Sequence, residues 1–253
     1  MSGDFDPRLL RALRVARRVG ALTGAGISAE SGIPTFRDAQ TGLWARFRPE
    51  ELATAEAFRR NPQLVWDWYE WRRDLVAGAA PNAAHCALAR MQDWVPDLTL
   101  VTQNVDGLHQ RAGSRDVVEL HGNIHRSKCF VEDTVVETWP ETGARPPRCR
   151  NCGAPLRPDV VWFGESLPPA ALARAEAVAR ECDLFFSIGT SAAVFPAAQL
   201  PVTALQGGAI VVEINKDPTP LTRAATFSML GAAGTILPAL LDEAWSGRQG
   251  SSG

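Results

Sequence analysis

Nowhere does this 253-residue chain hold the roughly 20 consecutive apolar residues that a membrane-spanning helix needs. No apolar stretch stands behind a basic N-terminus either, so the chain reads as lacking a secretory signal and is expected in the cytoplasm with no membrane partner. Its five cysteines are therefore expected as thiols rather than disulfides. Positive charge is not in excess: 26 Lys and Arg face 28 Asp and Glu, a net −2 that argues against a nucleic-acid partner. Arg8, Arg11, Arg14, Arg17 and Arg18 interleave with Leu9, Leu10, Leu13 and Ala16, which reads as the solvated face of an amphipathic helix. No internal repeat is visible. What remains is an ordinary globular composition, 45% hydrophobic and 21% charged, long enough for one large core carrying an insertion.

Asp6-Pro7 reads as an N-cap and first-turn proline, opening a helix that is expected to end near Arg18. Apolar strand candidates follow at 19–23, 98–102, 117–120, 184–188 and 210–214. Helical patterns lie at 83–94 after Asn82, at 170–181 after Pro168-Pro169, and at 238–245. Near-continuous apolar strands alternating with helices imply an α/β fold, a Rossmann-like parallel sheet with helices on both faces. Two segments break the rhythm. Residues 42–78 carry Trp44, Phe47, Phe58, Trp66, Trp68, Tyr69 and Trp71 at helical spacing, with no strand. Residues 126–158 are rich in Pro, Arg and Cys, with a short β-like piece at 134–138. Both are read as insertions that form a smaller domain, one helical and one ribbon-like. That leaves 1–41, 79–125 and 159–246 as the nucleotide-binding part and 247–253 as a disordered Gly/Ser-rich tail.

The densest signal is Gly24-Ala25-Gly26-Ile27-Ser28-Ala29-Glu30-Ser31-Gly32-Ile33-Pro34-Thr35-Phe36, followed by Arg37-Asp38. Glycines at the end of an apolar strand let the backbone turn sharply and approach a phosphate closely, and Ala29 completes a permissive dinucleotide fingerprint. Ser31-Gly32 and Ile33-Pro34 then break the helix, so Phe36-Arg37-Asp38 reads as a loop folding over a ligand. There the guanidinium suits a pyrophosphate and the ring can exclude water. Gln103-Asn104-Val105-Asp106 follows the strand at 98–102, where its amides and carboxylate can serve either as ligand contacts or as a self-capped polar turn. His121 follows the strand at 117–120, at a strand end where open α/β folds place their sites, and a neutral imidazole there suits a general base. His85, His109 and His125 read as structural.

These stretches, together with His121-Gly122, Val160-Val161-Trp162-Phe163-Gly164-Glu165, Gly189-Thr190-Ser191 and Glu213-Ile214-Asn215, resemble in order the motifs of the sirtuins, the NAD-dependent protein deacylases. The resemblance runs from about residue 20 to residue 240. It implies that NAD is consumed as a cosubstrate and that substrates bind between the two parts. The acyl-lysine carbonyl oxygen attacks C1′ of the nicotinamide ribose, and nicotinamide leaves. His121 helps deprotonate a ribose hydroxyl that attacks the resulting alkylimidate, and water releases lysine and O-acyl-ADP-ribose. By the same resemblance Asn104 and Asp106 join His121 as catalytic residues. NAD contacts fall to Gly24, Ala25, Gly26, Ser28, Glu30, Pro34, Thr35, Phe36, Arg37, Gln103, Asn104, Asp106, Gly189, Thr190, Ser191, Asn215, Lys216 and Ala233, with Glu213 beside Asn215. Val161, Phe163, Gly164 and Glu165 would pair with the backbone of an acylated-lysine peptide.

Tyr69 and Arg72 share a helix face at i and i+3. They match the Tyr-x-x-Arg element of the sirtuin branch that removes succinyl, malonyl and glutaryl groups, and Ala53 matches that branch's small residue. An arginine fork with a phenol donor is a good receptor for a carboxylate. Cys149-Arg150-Asn151-Cys152 is a metal-type knuckle with Cys129 upstream, but the family's usual four-cysteine zinc site has Glu132 in the fourth place here. Three thiolates with a carboxylate or water could hold zinc; a metal-free module held by packing is the alternative. Cys86 and Cys182 read as core thiols. Two other functions fit the NAD motifs, a regulatory NAD or ADP-ribose sensor and a mono-ADP-ribosyltransferase. Targets and oligomeric state are left open.

Overall fold

The computed structural model describes residues 5–34, 48–139 and 143–245. Helix α1 (Pro7–Val15) opens as expected, with the Asp6 carboxylate accepting from the Arg8 amide at 2.8 Å. It ends earlier than expected. The chain is extended at Ala16, and the amides of Arg17 and Arg18 both donate to the Asp183 carboxylate at 2.8 Å, so Arg18 already belongs to the first strand.

That strand, β1 (Arg18–Thr23), is an inner strand of a six-stranded parallel sheet. It is flanked by β2 (Asp97–Thr102) and β7 (Leu184–Ile188), then by β3 (Val117–Glu119) on one side and by β8 (Ile210–Asn215) and β9 (Phe227–Leu230) on the other. Because both faces are covered, neighbouring residues along a strand enter different cores. Ala21, Leu100, Phe186 and Val212 face α1, α6 (Ala83–Met91) and α10 (Ala233–Trp245). Leu22, Val101, Phe185 and Val211 face α8 (Pro169–Glu181) and α9 (Leu200–Gln206). The near-continuous apolar strands follow from this double burial.

Sequence pattern misplaced some boundaries. Helix α6 stops at Met91 rather than 94. Helix α10 starts at Ala233, with Pro238 inside it rather than opening it, and the Glu30 carboxylate accepts from Gly234 N at 3.2 Å in its first turn. Strand β9 was not foreseen.

The second sheet is antiparallel: β4 (Gly122–Cys129) lies between β5 (Val135–Val136) and β6 (Leu156–Val160). It begins directly after His121, so residues 122–125, expected with the large sheet, lie in this one. The junction demands glycine. Gly122 has φ +81°, and a Cβ there would sit 2.1 Å from the Asp159 carbonyl oxygen. The aromatic segment is helical as expected, in α3 (Pro49–Leu52), α4 (Ala55–Arg60) and α5 (Pro62–Gly78). Thr54 and Asn61 cap α4 and α5, and Arg73 of α5 donates to the Ile124 carbonyl at 2.8 Å, tying these helices to the second sheet. Residues 160–165 are not the continuous strand that their composition suggests: β6 ends at Val160, and Val161 and Phe163 donate their amides to the carbonyls of His121 and Ala53, each at 2.9 Å.

Candidate active site

In the large sheet the strand order reverses between β1 and β7, and ligands of open α/β sheets sit at the carboxyl ends of such a pair. Both strands end there in glycine. Gly26 N donates to the Gly189 carbonyl at 2.8 Å, and a Cβ on Gly26 would meet that oxygen at 2.7 Å. Only glycine lets the two turns close on each other, leaving backbone bare beside the buried Thr190 and the half-buried Ser191. Gln103, at the end of β2, donates from Nε2 to Thr190 Oγ1 at 2.9 Å and bridges the edge. Such a cradle, with close backbone and few side chains, fits a dinucleotide.

Beside it lies a continuous polar network. Asn104 Nδ2 donates to the Gly24 carbonyl at 3.1 Å and to Ser28 Oγ at 3.0 Å, which engages both amide hydrogens and leaves the side-chain oxygen to accept from a ligand. Ser28 in turn donates to Asp106 Oδ2 at 2.7 Å, and the other Asp106 oxygen accepts from Leu108 N at 2.9 Å. His121 Nδ1 lies 2.8 Å from the Gln103 carbonyl, a pure acceptor. That contact assigns the proton to Nδ1 and the basic lone pair to Nε2. Burial pulls the His121 pKa below its ordinary value, with the Gln103 carbonyl partly opposing, so the imidazole is neutral at pH 7. His85 and His109 are buried with their rings tilted against each other, centroids 4.7 Å apart, and His109 Nε2 meets Thr23 Oγ1 at 3.0 Å; both read as structural.

Other expected NAD contacts are placed differently from one another. The Glu30 carboxylate is spent on the first turn of α10, close to the buried Ala233. Asn215 and Lys216 stand at the exit of β8, with the Asn215 amide donating to the Asp217 carbonyl at 3.0 Å. Glu213 corrects the sequence reading. It is buried, and its two oxygens accept from Thr219 and Ser228, so it braces β8 and β9 instead of meeting a ribose. Pro34 is exposed; Thr35, Phe36, Arg37 and Asp38 lie outside the described residues.

On the small-domain side, Ala53, Phe58, Val65, Trp68, Tyr69, Leu108 and Trp162 form an apolar cluster. The only tyrosine of the chain, Tyr69, is 1% exposed, and its hydroxyl accepts from Trp162 Nε1 at 2.9 Å. Burial drives its pKa to about 12, with Arg72 and Trp162 opposing, so it stays a protonated donor. The Arg72 guanidinium lies over the Trp68 ring at 5.2 Å, within electrostatic reach of both Tyr69 and Asp106. Arg72 thus lies within reach of both the apolar cluster and the polar network. Glu165 points inward: it takes two bonds from Arg157, at 2.5 and 2.9 Å, and one from Trp162 N at 2.8 Å. Phe163 and Gly164 are exposed. Sequence reading had passed over Trp162 as a side chain and Arg157 altogether; the i, i+3 spacing of Trp162 and Glu165 was the one local clue.

Cys129, Glu132, Cys149 and Cys152 converge, with their ligand atoms all within 4.8 Å of one another. Three soft sulfurs and one carboxylate oxygen fit zinc, and Glu132 would supply the fourth ligand. Of the two thiols expected in the core, Cys182 is buried and Cys86 is exposed on the outer face of α6.

A dinucleotide cradle at a topological switch point, a neutral histidine beside it and a ribbon whose four ligand atoms could hold a metal mark an α/β enzyme of the dinucleotide-binding class. The Sir2 family model matches residues 24–196, most of the chain, and the protein belongs to that family. Similar to it, at 51% identity over 94% of this chain and 96% of its own length, is an NAD-dependent protein deacylase of Methylococcus capsulatus. Among solved structures, a Sir2 homologue–NAD complex superposes with a TM-score of 0.88 at 47% identity, covering 95% of this chain and 94% of its own. A Sir2–p53 peptide–NAD+ complex superposes at 0.83 with 31% identity, covering 94% and 97%.

Proposed function

We propose that this sirtuin is an NAD-dependent protein-lysine deacylase that favours succinyl- and malonyl-lysine over acetyl-lysine, releasing nicotinamide and O-acyl-ADP-ribose. The activity rests on family membership and on the deacylase activity named for its relatives. The acyl preference rests on one observation, the buried Tyr69 hydroxyl beside the Arg72 guanidinium. That oxygen already accepts from Trp162, and among the described residues no acceptor takes its hydrogen. A buried donor without a partner costs free energy, and a ligand carboxylate between Tyr69 and Arg72 would relieve it.

NAD supplies the ribose carbon that captures the acyl oxygen. His121, with its proton fixed on Nδ1, presents Nε2 to take a proton from a ribose hydroxyl. Asn104 is held by Gly24 and Ser28 with its oxygen free to orient the nicotinamide end, while Asp106 fixes Ser28 and the turn into α7 (Leu108–Arg111) rather than offering a free carboxylate. Gly24, Ala25, Gly26, Gly189, Thr190 and Ser191 form the cradle for the pyrophosphate and ribose. The amides of Val161 and Phe163 are committed internally, and an acylated-lysine peptide would run along this loop past Gly164. Cys129, Glu132, Cys149 and Cys152 would hold a structural zinc. The test is product analysis: NAD with a succinyl-lysine peptide should give nicotinamide and O-succinyl-ADP-ribose. NAD binding without turnover would favour a sensor, and a protein-bound ADP-ribose would favour a transferase.

A further inference from the structure

We infer that Trp162 is a specificity-determining positioning residue: by donating its indole N–H to the Tyr69 oxygen it fixes that hydroxyl as a donor toward the acyl group. The inference rests on the acidic-acyl reading and deepens it. A phenol has one hydrogen, which lies near the ring plane on one side or the other of the oxygen. Trp162 Nε1 approaches that oxygen at 2.9 Å, and an indole N–H can only donate. The Tyr69 hydrogen must therefore turn to the other side. In that state the pocket offers a donor and rejects ligands that would themselves need an acceptor there. An acyl chain ending in a carboxylate satisfies the donor; an acetyl methyl leaves it unpaired.

The indole is itself held in place. The Arg157 guanidinium lies flat against it, its carbon 3.4 Å from the ring centroid, in a buried site. Arg157 is fixed from its other edge by two bonds to Glu165 and by donation to the Val160 carbonyl at 2.7 Å, and Glu165 also accepts from the Trp162 amide. Backbone and ring of Trp162 are thus tied to one ion pair, so the indole cannot swing away without breaking a buried charge pair. The chain Glu165–Arg157–Trp162–Tyr69 carries this constraint from the loop after β6 to the acyl pocket on α5.

Steady-state kinetics with matched succinyl- and acetyl-lysine peptides test this in the wild type, Trp162→Phe, Tyr69→Phe and the double variant. Trp162→Phe keeps an aromatic ring and removes the donor. The succinyl-to-acetyl ratio of kcat/KM is expected to fall about tenfold, mostly through KM for the succinyl peptide. Adding Trp162→Phe to Tyr69→Phe should then change the ratio little, because the two act through one hydroxyl. A purely structural role would lower both substrates together and leave the ratio unchanged, which would overturn the inference. A further loss of ratio in the Tyr69→Phe background would overturn it as well. Because Tyr69 is the sole tyrosine, fluorotyrosine labelling gives a single fluorine resonance; it should shift with succinyl-lysine peptide in the wild type and shift less in Trp162→Phe. If Trp162→Phe does not fold, Glu165→Gln loosens the same clamp and should lower the ratio in the same direction; an unchanged ratio there counts against the inference. A wild type with no succinyl preference overturns the acyl reading and the inference together. A preference lost in Arg72→Ala but kept in Trp162→Phe overturns the inference alone.

Discussion

The two sides of this site are built on opposite principles. On the nucleotide side Asn104, Ser28 and Asp106 hold one another, with both Asp106 oxygens and both Asn104 amide hydrogens assigned to partners, while Gln103 bonds Thr190 through its side chain and His121 through its carbonyl. On the acyl side an apolar cluster surrounds a phenol with one uncommitted hydrogen and a guanidinium stacked on Trp68. The nucleotide side is fixed within the protein and suits a reaction common to every substrate. On the proposed reading the acyl side is incomplete by one acceptor, and that incompleteness would discriminate between acyl groups. Arg72, within electrostatic reach of both Tyr69 and Asp106, links the two sides through its charge.

Substitutions can separate the two sides. The largest effect is expected for His121→Ala, which removes the base and should lower kcat/KM on the order of a thousandfold, equally for succinyl- and acetyl-lysine peptides. A loss confined to one acyl group would break the comparison. Arg72→Ala should cost roughly ten- to a hundredfold on the succinyl peptide and distinctly less on the acetyl peptide, a change in ratio that His121→Ala does not produce. Glu132→Ala should weaken zinc by about tenfold or more in a chelator competition while leaving the acyl ratio alone, since the metal cluster supports the fold. An unchanged metal affinity would remove Glu132 from the ligand set.

The smallest effects concern pH. His121 is held below 6.5 by burial, so its neutral form persists at lower pH and the acid limb of the kcat/KM profile should lie below 6.5. A limb above 6.5 would deny it the role of base. His109 is driven to about 3 by burial and by the adjacent His85 ring. Its folded pKa is depressed, so the unfolded chain takes up the proton first as pH falls. Stability is full above 6.5 and declines below it, by about 2 kcal/mol at pH 5 for this one group. The melting temperature should therefore fall between pH 7 and pH 5, with a shallower slope in His109→Gln.

Much of this was legible in the sequence because it depends on local chemistry. Residues 184–188 are apolar throughout, since both faces of β7 are buried, and the strand lies where the pattern placed it. Strand β9 escaped notice because it is an edge strand: Ser228 and Leu230 are exposed between half-buried Phe227 and Met229, and so short an edge gives little apolar signal. The start of α10 was hidden by Pro238, which usually begins a helix, whereas the first turn is secured by Glu30 from far away in the chain. Tyr69 and Arg72 could be paired from helical spacing. The Trp162 donor that orients Tyr69 is 93 residues away and reaches it only through the tertiary fold. Glu213 misled for the opposite reason: it sits two residues from Asn215 in the motif and looks available, yet Thr219 and Ser228, further along the chain, hold its buried carboxylate.

The most direct measurement is kcat/KM for matched succinyl- and acetyl-lysine peptides with saturating NAD, in the wild type and Arg72→Ala side by side. The account predicts a clear succinyl preference in the wild type that collapses toward parity in the variant. Equal activity on both peptides in the wild type, or a preference that survives the loss of Arg72, would contradict it.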